Sequence, residues 1–192
     1  MTVPTGRIRV GPDCGRLLLR TKRDGFAARA GHDLTIEVTR WEAEIDSSGD
    51  GPTAAVIAAR IDLESLEIRE GTGGALPLTD SDRRQIRETA RRILTTGGAA
   101  SATFESSSVI TAGQAGGAIE GTVSLHGTAR PVRLEVSQLG PSEYRATASL
   151  RQSEFGIKPY TAFLGALKLR DAVEVEVDVD LANCEVLAGN AG

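Results

Sequence analysis

The sequence is poor in the side chains that most often carry enzyme and metal chemistry. Its 192 residues include two histidines and two cysteines, and no CxxC, GxSxG or HExxH motif occurs. Zinc sites and hydrolase triads need clusters of this kind, so we predict neither an enzyme nor a metal or other cofactor. We expect Cys14 and Cys184 to be reduced, half-buried thiols, although they would become neighbours if the first and last strands closed a barrel.

An excess of basic residues and a long apolar run are missing as well. The 22 Lys and Arg stand against 26 Asp and Glu, which gives a net charge of -4 and excludes the basic footprint typical of nucleic-acid-binding proteins. No stretch approaches the roughly 20 apolar residues that span a bilayer, and the arginine-containing N-terminus lacks the apolar core of a secretory signal. We therefore predict a cytoplasmic protein with no nucleic-acid partner and no transmembrane segment.

Alternation of apolar and polar residues is the dominant pattern. In residues 172–181 four valines and a leucine alternate with four acidic residues, which is typical of a strand with one wet face. Similar runs, separated by short turn-rich clusters, predict an all-β fold with antiparallel pairing. We predict one domain over residues 1–186 and a flexible tail over residues 187–192. The eight predicted strands are residues 14–21, 33–40, 57–63, 100–110, 119–126, 131–137, 144–151 and 172–181.

One segment has helical spacing instead. Residues 79–96 carry a narrow apolar stripe that predicts a single surface α-helix over about residues 80–96, lying on the barrel or covering one end. Thr79 and Asp82 resemble a capping box, and Gly97 is expected to end the helix. The preceding glycine-rich residues 71–78 lack the Gly-Lys-Ser/Thr of a phosphate-binding loop and predict a flexible connection.

The inward strand faces combine aliphatic side chains with alanines, and the chain is only 4% aromatic. A small barrel with short interior side chains leaves room for about one small ligand, so an apolar cavity is our hypothesis. Residues 155–169 gather aromatic side chains in an irregular connection, which favours either a cavity mouth or a core plug. The candidate ligand-binding residues are Leu34, Ile36, Val38, Ile57, Ala59, Ile61, Val123, Leu125, Ala146, Ala148, Leu150, Phe155, Tyr160, Phe163 and Leu164.

Two alternative functions remain open. His32 could act as a general base on an apolar substrate, but neighbours on a strand point to opposite faces, so Asp33 is poorly placed to orient it and a backbone-bonded His32 is favoured. His126 is expected to brace a hairpin beside Gly127. The second alternative is a scaffold with a filled interior that works through its surface.

The sequence resembles the YceI-like, polyisoprenoid-binding proteins. The resemblance is carried by GHDLTIEVTRW at 31–41, IAARIDLESL at 57–66, IEGTVSLHGTARPV at 119–132, and the Phe-Gly-Ile segment with the final valine-rich strand at 153–181. It implies an elongated, lipocalin-like, eight-stranded antiparallel barrel whose channel holds an isoprenoid-like lipid of the polyprenyl or quinone type. It also implies lipid transport without an enzymatic step, a link to stress responses and a possible homodimer. Residues 71–92 depart from the family pattern.

Overall fold

A computed structural model describes residues 6–47, 52–95, 100–112 and 116–187 of the chain. The described part contains one α-helix, α1, and 13 strands joined into a single sheet. The helix spans Asp80–Leu94. The strands are β1 Arg7–Val10, β2 Gly15–Asp24, β3 Asp33–Val38, β4 Trp41–Asp46, β5 Val56–Asp62, β6 Leu66–Thr72, β7 Ser101–Thr111, β8 Gly116–Leu125, β9 Thr128–Gln138, β10 Glu143–Arg151, β11 Thr161–Ala162, β12 Leu167–Asp180 and β13 Glu185–Leu187.

The sheet curls into a lipocalin-like half-barrel in which every pair of neighbouring strands is antiparallel. The strand order is β13-β1-β4-β5-β7-β8-β9-β10-β12-β2-β3-β6, with β11 added beside β12. Antiparallel pairing and the all-β class are therefore confirmed, whereas the predicted number of eight strands is wrong. The path ends at β13 and β6, so α1 rather than a further strand pair covers the remaining side of the barrel.

Each of the eight predicted strands corresponds to an observed one, and five more are present: β1, β4, β6, β11 and β13. Three of these five have four residues or fewer, too short for a period of two to stand out. Of the predicted tail, Leu187 ends β13 and pairs with Arg7, and residues 188–192 lie outside the described part of the chain.

The two faces of the sheet differ as the alternation predicts. Val173, Val175, Val177 and Val179 of β12 line the interior, while the acidic side chains between them lie on the outer face. Two of these acids, Glu176 and Asp178, are not simply solvated, because arginines of the neighbouring strands reach them. Arg145 donates from Nε and Nη2 to the Asp178 carboxylate at 2.6 and 2.9 Å. Such exposed pairs add little stability but favour the observed strand register.

The helix is fixed at its start and along the edge strand β6. The predicted capping box is present, with the Asp82 N–H donating to Thr79 Oγ1 and the Thr79 N–H donating to the Asp82 carboxylate. Arg83 Nη1 donates to the backbone carbonyls of Ile68 and Arg69 on the edge strand β6 at 3.0 and 2.9 Å. Gly97, the predicted helix stop, lies outside the described residues.

The far end of the helix is held by the β8–β9 hairpin. His126 and Gly127 form a two-residue turn with φ of 52° and 69°, the left-handed pattern that type I′ hairpins require. The Nε2–H of His126 donates to the Leu94 carbonyl at 2.5 Å. The helix therefore bridges β6 and this hairpin.

No helix in the described ranges is long and apolar enough to cross a membrane.

The prediction of reduced cysteines is wrong. Cys14 and Cys184 form a disulfide across a sequence separation of 170 residues, with Cα atoms 5.2 Å apart. The pairing follows from the sheet, because β13 returns beside β1 and the chain leaving β12 packs against the start of β2. The Asp180 N–H donates to the Cys14 carbonyl at 2.9 Å in this contact. The disulfide thus ties the first and last segments together at one end of the barrel.

Candidate ligand-binding cavity

A continuous cavity of about 920 Å³ occupies the interior of the half-barrel. Its wall is made mainly of aliphatic and aromatic side chains from the inner strand faces and the inner face of α1, and it also includes a few polar or charged residues such as Arg23, Arg29 and Asp82. The volume lies at the upper end of the 300–1,000 Å³ typical of small-molecule sites. A cavity of this size contradicts the interpretation of the barrel as a scaffold with a filled interior.

The structure brings together all but one of the sequence-predicted ligand-binding residues. The strand residues Leu34, Ile36, Val38, Ile57, Ala59, Ile61, Val123, Leu125, Ala146, Ala148 and Leu150 line the cavity, as do Phe155, Tyr160 and Phe163. Leu164 is placed elsewhere: it lies outside the lining and is fully exposed. Its backbone has φ of 56° and ψ of 32°, which turns the side chain away from the barrel.

The sequence-based selection missed a second set of lining residues. They come mainly from β2, β4, β7, β9 and β12 and from the helix, whose stripe Ile86, Ala90, Ile93 and Leu94 faces the cavity. The sequence pattern could have identified the residues of β12 and of the helix, since both segments showed a clear apolar face. For the helix, the face was assigned correctly to the barrel but not to the ligand site.

One end of the cavity is closed by bulky, buried side chains. Val10, Trp41, Tyr144 and Leu181 form this closed end, and each is at most 8% exposed. Among the residues that the structure describes, Trp41 Nε1 and the Tyr144 hydroxyl are buried without a hydrogen-bond partner. Buried polar groups are nearly always paired, so two unpaired donors beside an apolar cavity are a notable feature of this end.

The opposite end is open, and three chain segments surround it. Leu76, Tyr160 and Phe163 line the cavity there, and they are 77%, 40% and 65% exposed, respectively. We call residues 25–31, 73–78 and 156–168 the rim segments. Backbone hydrogen bonds join them: the Ala27 N–H donates to the Ala166 carbonyl at 2.8 Å, and the Ala75 N–H donates to the Arg29 carbonyl at 3.0 Å.

The glycine-rich segment is packed rather than free. Gly73 has φ of 75°, and a Cβ on Gly74 would overlap the His32 ring. The expected flexible connection is therefore a close-fitting turn in which glycine is needed for space. Residues 155–169 have both predicted roles, since Phe155 is a buried plug at 2% exposure while Phe163 lies at the opening.

His32 lies at the open end but is not arranged as a general base. Its Nε2–H donates to the Leu76 carbonyl at 2.7 Å, which fixes the ring against the glycine-rich segment. The Asp33 carboxylate accepts the Arg23 N–H at 2.8 Å and does not orient the imidazole. The expected backbone-bonded His32 is confirmed, and the two residues do not form a catalytic pair.

A carboxylate also anchors the chain entering the third rim segment. Ser153 donates to Asp171 from its hydroxyl at 2.6 Å and from its N–H at 2.8 Å. These hydrogen bonds hold the pKa of Asp171 below its usual value. The Phe155 plug is thereby fixed against the start of the long strand β12.

The fold and the cavity together define a lipocalin-like β-barrel that encloses an apolar compartment. The sequence of the YceI-like domain matches residues 21–181, and the chain belongs to this family. The crystal structure of BcnA from Burkholderia cenocepacia is similar, with 15% identity, a TM-score of 0.59, and coverage of 86% of this chain and 94% of BcnA. The YceI protein of Campylobacter jejuni shares 12% identity and a TM-score of 0.54, with 80% and 85% of the two chains covered. No curated protein matches the sequence significantly.

Proposed function

We propose that this protein binds an apolar, isoprenoid-like lipid of the polyprenyl or quinone type in its cavity, for carriage or sequestration. The observation that carries the proposal is the cavity itself, whose largely apolar wall extends from a closed end to an open end. An apolar chain gains about 0.8 kcal/mol for each methylene that it buries. A site of this volume and composition therefore favours a long hydrocarbon over a polar metabolite.

The closed end favours a lipid that carries an oxygen atom. Trp41 and Tyr144 offer buried donors that no described residue accepts. Once a small side-chain shift turns these atoms toward the cavity, a carbonyl or hydroxyl oxygen of the ligand would satisfy them, and leaving such groups unpaired costs about 1–3 kcal/mol each. We therefore favour a quinone or a prenyl alcohol, inserted with its oxygen deep in the barrel, over a pure hydrocarbon.

The proposal is tested by extracting the purified protein with organic solvent and analysing the extract by mass spectrometry. We expect a stoichiometric isoprenoid, and we expect added geranylgeraniol or ubiquinone to raise the melting temperature of delipidated protein through linkage. Lysozyme extracted in the same way controls for adventitious lipid. A clean extract together with unchanged melting in both lipids would reject the proposal.

The cellular location and the oligomeric state remain predictions. The disulfide weighs against the predicted cytoplasmic location, because cytosolic thiols are normally kept reduced. Alkylation of intact cells with a mass-shifting thiol reagent would show which state the cysteines have. Light scattering of the purified protein tests the expected homodimer.

A further inference from the structure

The largest apolar exposures of the protein lie together at the open end. Among the described residues, the four most exposed large apolar side chains are Phe26, Leu76, Phe163 and Leu164, at 102%, 77%, 65% and 109%. All four belong to the rim segments, which hydrogen-bond to one another. An exposed apolar patch of this kind marks an interaction site more often than an ordinary surface.

The backbone of the third rim segment holds two of these side chains outward at a cost. Phe163, Leu164 and Gly165 have φ of 51°, 56° and 88°, three consecutive residues in the left-handed region. Left-handed conformations of non-glycine residues cost of order 1 kcal/mol or more each. Exposing Leu164 in this way contributes nothing to the core, and contact with an external surface would offset this cost.

The charges of the rim segments indicate what kind of external surface the rim fits. The chain has a net charge of -4, yet the rim segments contain Arg29, Lys158 and Lys168 and no acidic residue. None of the three cations forms an ion pair with another described residue. The carboxylate opposite Lys168 in the strand register is Asp24, which accepts the Gly25 N–H. Asp24 and Asp82 lie beside the rim segments, but the cations on the segments themselves form no ion pair with a described residue. Exposed apolar tips next to unpaired cations complement the acyl boundary and the anionic headgroups of a bilayer.

We infer that the rim docks on an anionic lipid bilayer, with Phe26 and Leu164 inserted and the three cations at the headgroups. The inference rests on the proposed function, for which docking supplies the route of the lipid. Leu76 and Phe163 belong both to the exposed rim and to the cavity wall. Docking therefore makes the cavity continuous with the acyl region, so a lipid can pass between them without crossing water.

The test is flotation of the full chain with vesicles that contain no isoprenoid. One set of vesicles is pure phosphatidylcholine and the other contains about one third phosphatidylglycerol. We expect binding to the anionic vesicles, and Phe26→Ser with Leu164→Ser should weaken it at least tenfold. Lys158→Gln with Lys168→Gln should weaken it about 30-fold on anionic vesicles.

A matched control removes exposed apolar side chains from elsewhere. Leu139→Ser with Val186→Ser alters side chains that are 55% and 63% exposed in the β9–β10 turn and in β13, and this variant should float like the wild type. Circular dichroism melts confirm that each variant is folded. Equal losses in the control and in the rim variant would overturn the inference, as would equal binding to neutral and anionic vesicles.

Two further outcomes distinguish bilayer docking from self-association and from lipid binding inside the cavity. The first outcome is that the protein does not bind vesicles, and that light scattering shows a dimer which Phe26→Ser with Leu164→Ser dissociates. This result would show that a second copy of the chain covers the rim, and it would overturn docking. Lipid binding is measured separately in vesicle-free solution. If isoprenoid binding is absent there but vesicle binding persists, the proposed function fails while docking stands.

Discussion

Ala148→Phe distinguishes an open cavity from a packed core. Ala148 lies in the middle of β10, opposite Val175 and on the same inner face as Ala146 and Leu150. Its side chain faces the 920 Å³ cavity rather than a neighbouring side chain of a close-packed layer. A phenyl ring at this position therefore enters space that the ligand would use, without displacing a native side chain.

The size of the effect follows from what the ring replaces. A phenyl ring excludes about one isoprene unit, and five buried carbons at about 0.8 kcal/mol each give an upper limit of about 4 kcal/mol in ligand binding. A flexible lipid recovers part of this binding free energy by shifting along the channel. We expect binding to weaken by between about tenfold and about 1,000-fold, while the ligand-free protein keeps its stability.

The assay compares thermal melts of delipidated protein with displacement of a fluorescent prenyl probe. Thr147→Phe is the matched control, because Thr147 is the adjacent residue of β10 on the exposed outer face. In a packed core, Ala148→Phe would cost about 1–3 kcal/mol, which lowers the melting temperature by roughly 2–12 °C in a protein of this size. Such a loss in the ligand-free variant, without one in Thr147→Phe, would refute the open cavity.

Three further predictions concern stability. Replacing Cys14 and Cys184 by Ser should lower the free energy of unfolding in urea by about 2–5 kcal/mol, and reducing the wild type should have the same effect; equal midpoints would contradict this. Hydrogen bonds from Thr79 lower the pKa of Asp82 below its usual 3.8, so this carboxylate stabilises the fold above that value and less as the pH falls through its folded-state pKa. Asp82→Asn should therefore be less stable at neutral pH, with a gap that narrows below about pH 4; a constant gap would argue against it. Tyr144→Phe removes an unpaired hydroxyl and should leave ligand-free melting unchanged or raise it, whereas a marked loss would reveal a hidden partner.

Most of the strands could be predicted from sequence periodicity, because the alternation of side chains along a strand is a local property of the sequence. Residues 172–181 showed which face of β12 points inward, and Thr79 with Asp82 marked the start of α1. The pattern of β4 was readable too, since Trp41, Ala43 and Ile45 alternate with acids, but this strand was overlooked. Short strands such as β1 and β13 pair with each other from opposite ends of the chain, and no local pattern records that pairing.

The site was predicted less completely than the fold. Alternation assigns a side chain to a face, but whether an opposite wall touches that face depends on how far the sheet curls. The disulfide likewise depends on residues 170 positions apart meeting in space. Leu164 was misplaced because its left-handed backbone lies in an irregular segment, where no period relates a side chain to the barrel.

The helical side of the barrel is the part of the cavity wall that substitutions can reshape most easily. A wall of strands can widen only by breaking backbone hydrogen bonds. The helix α1 is held by side chains instead, among them Arg83 and Arg87 to β6, His126 to its last turn, and its apolar stripe packed on the core. This side can be rebuilt with larger or smaller residues at Ile86 and Ala90 while the strand ladder remains intact. The width of the cavity on this side, and with it the thickness of the ligand that fits, therefore depends on one helix and its side-chain contacts.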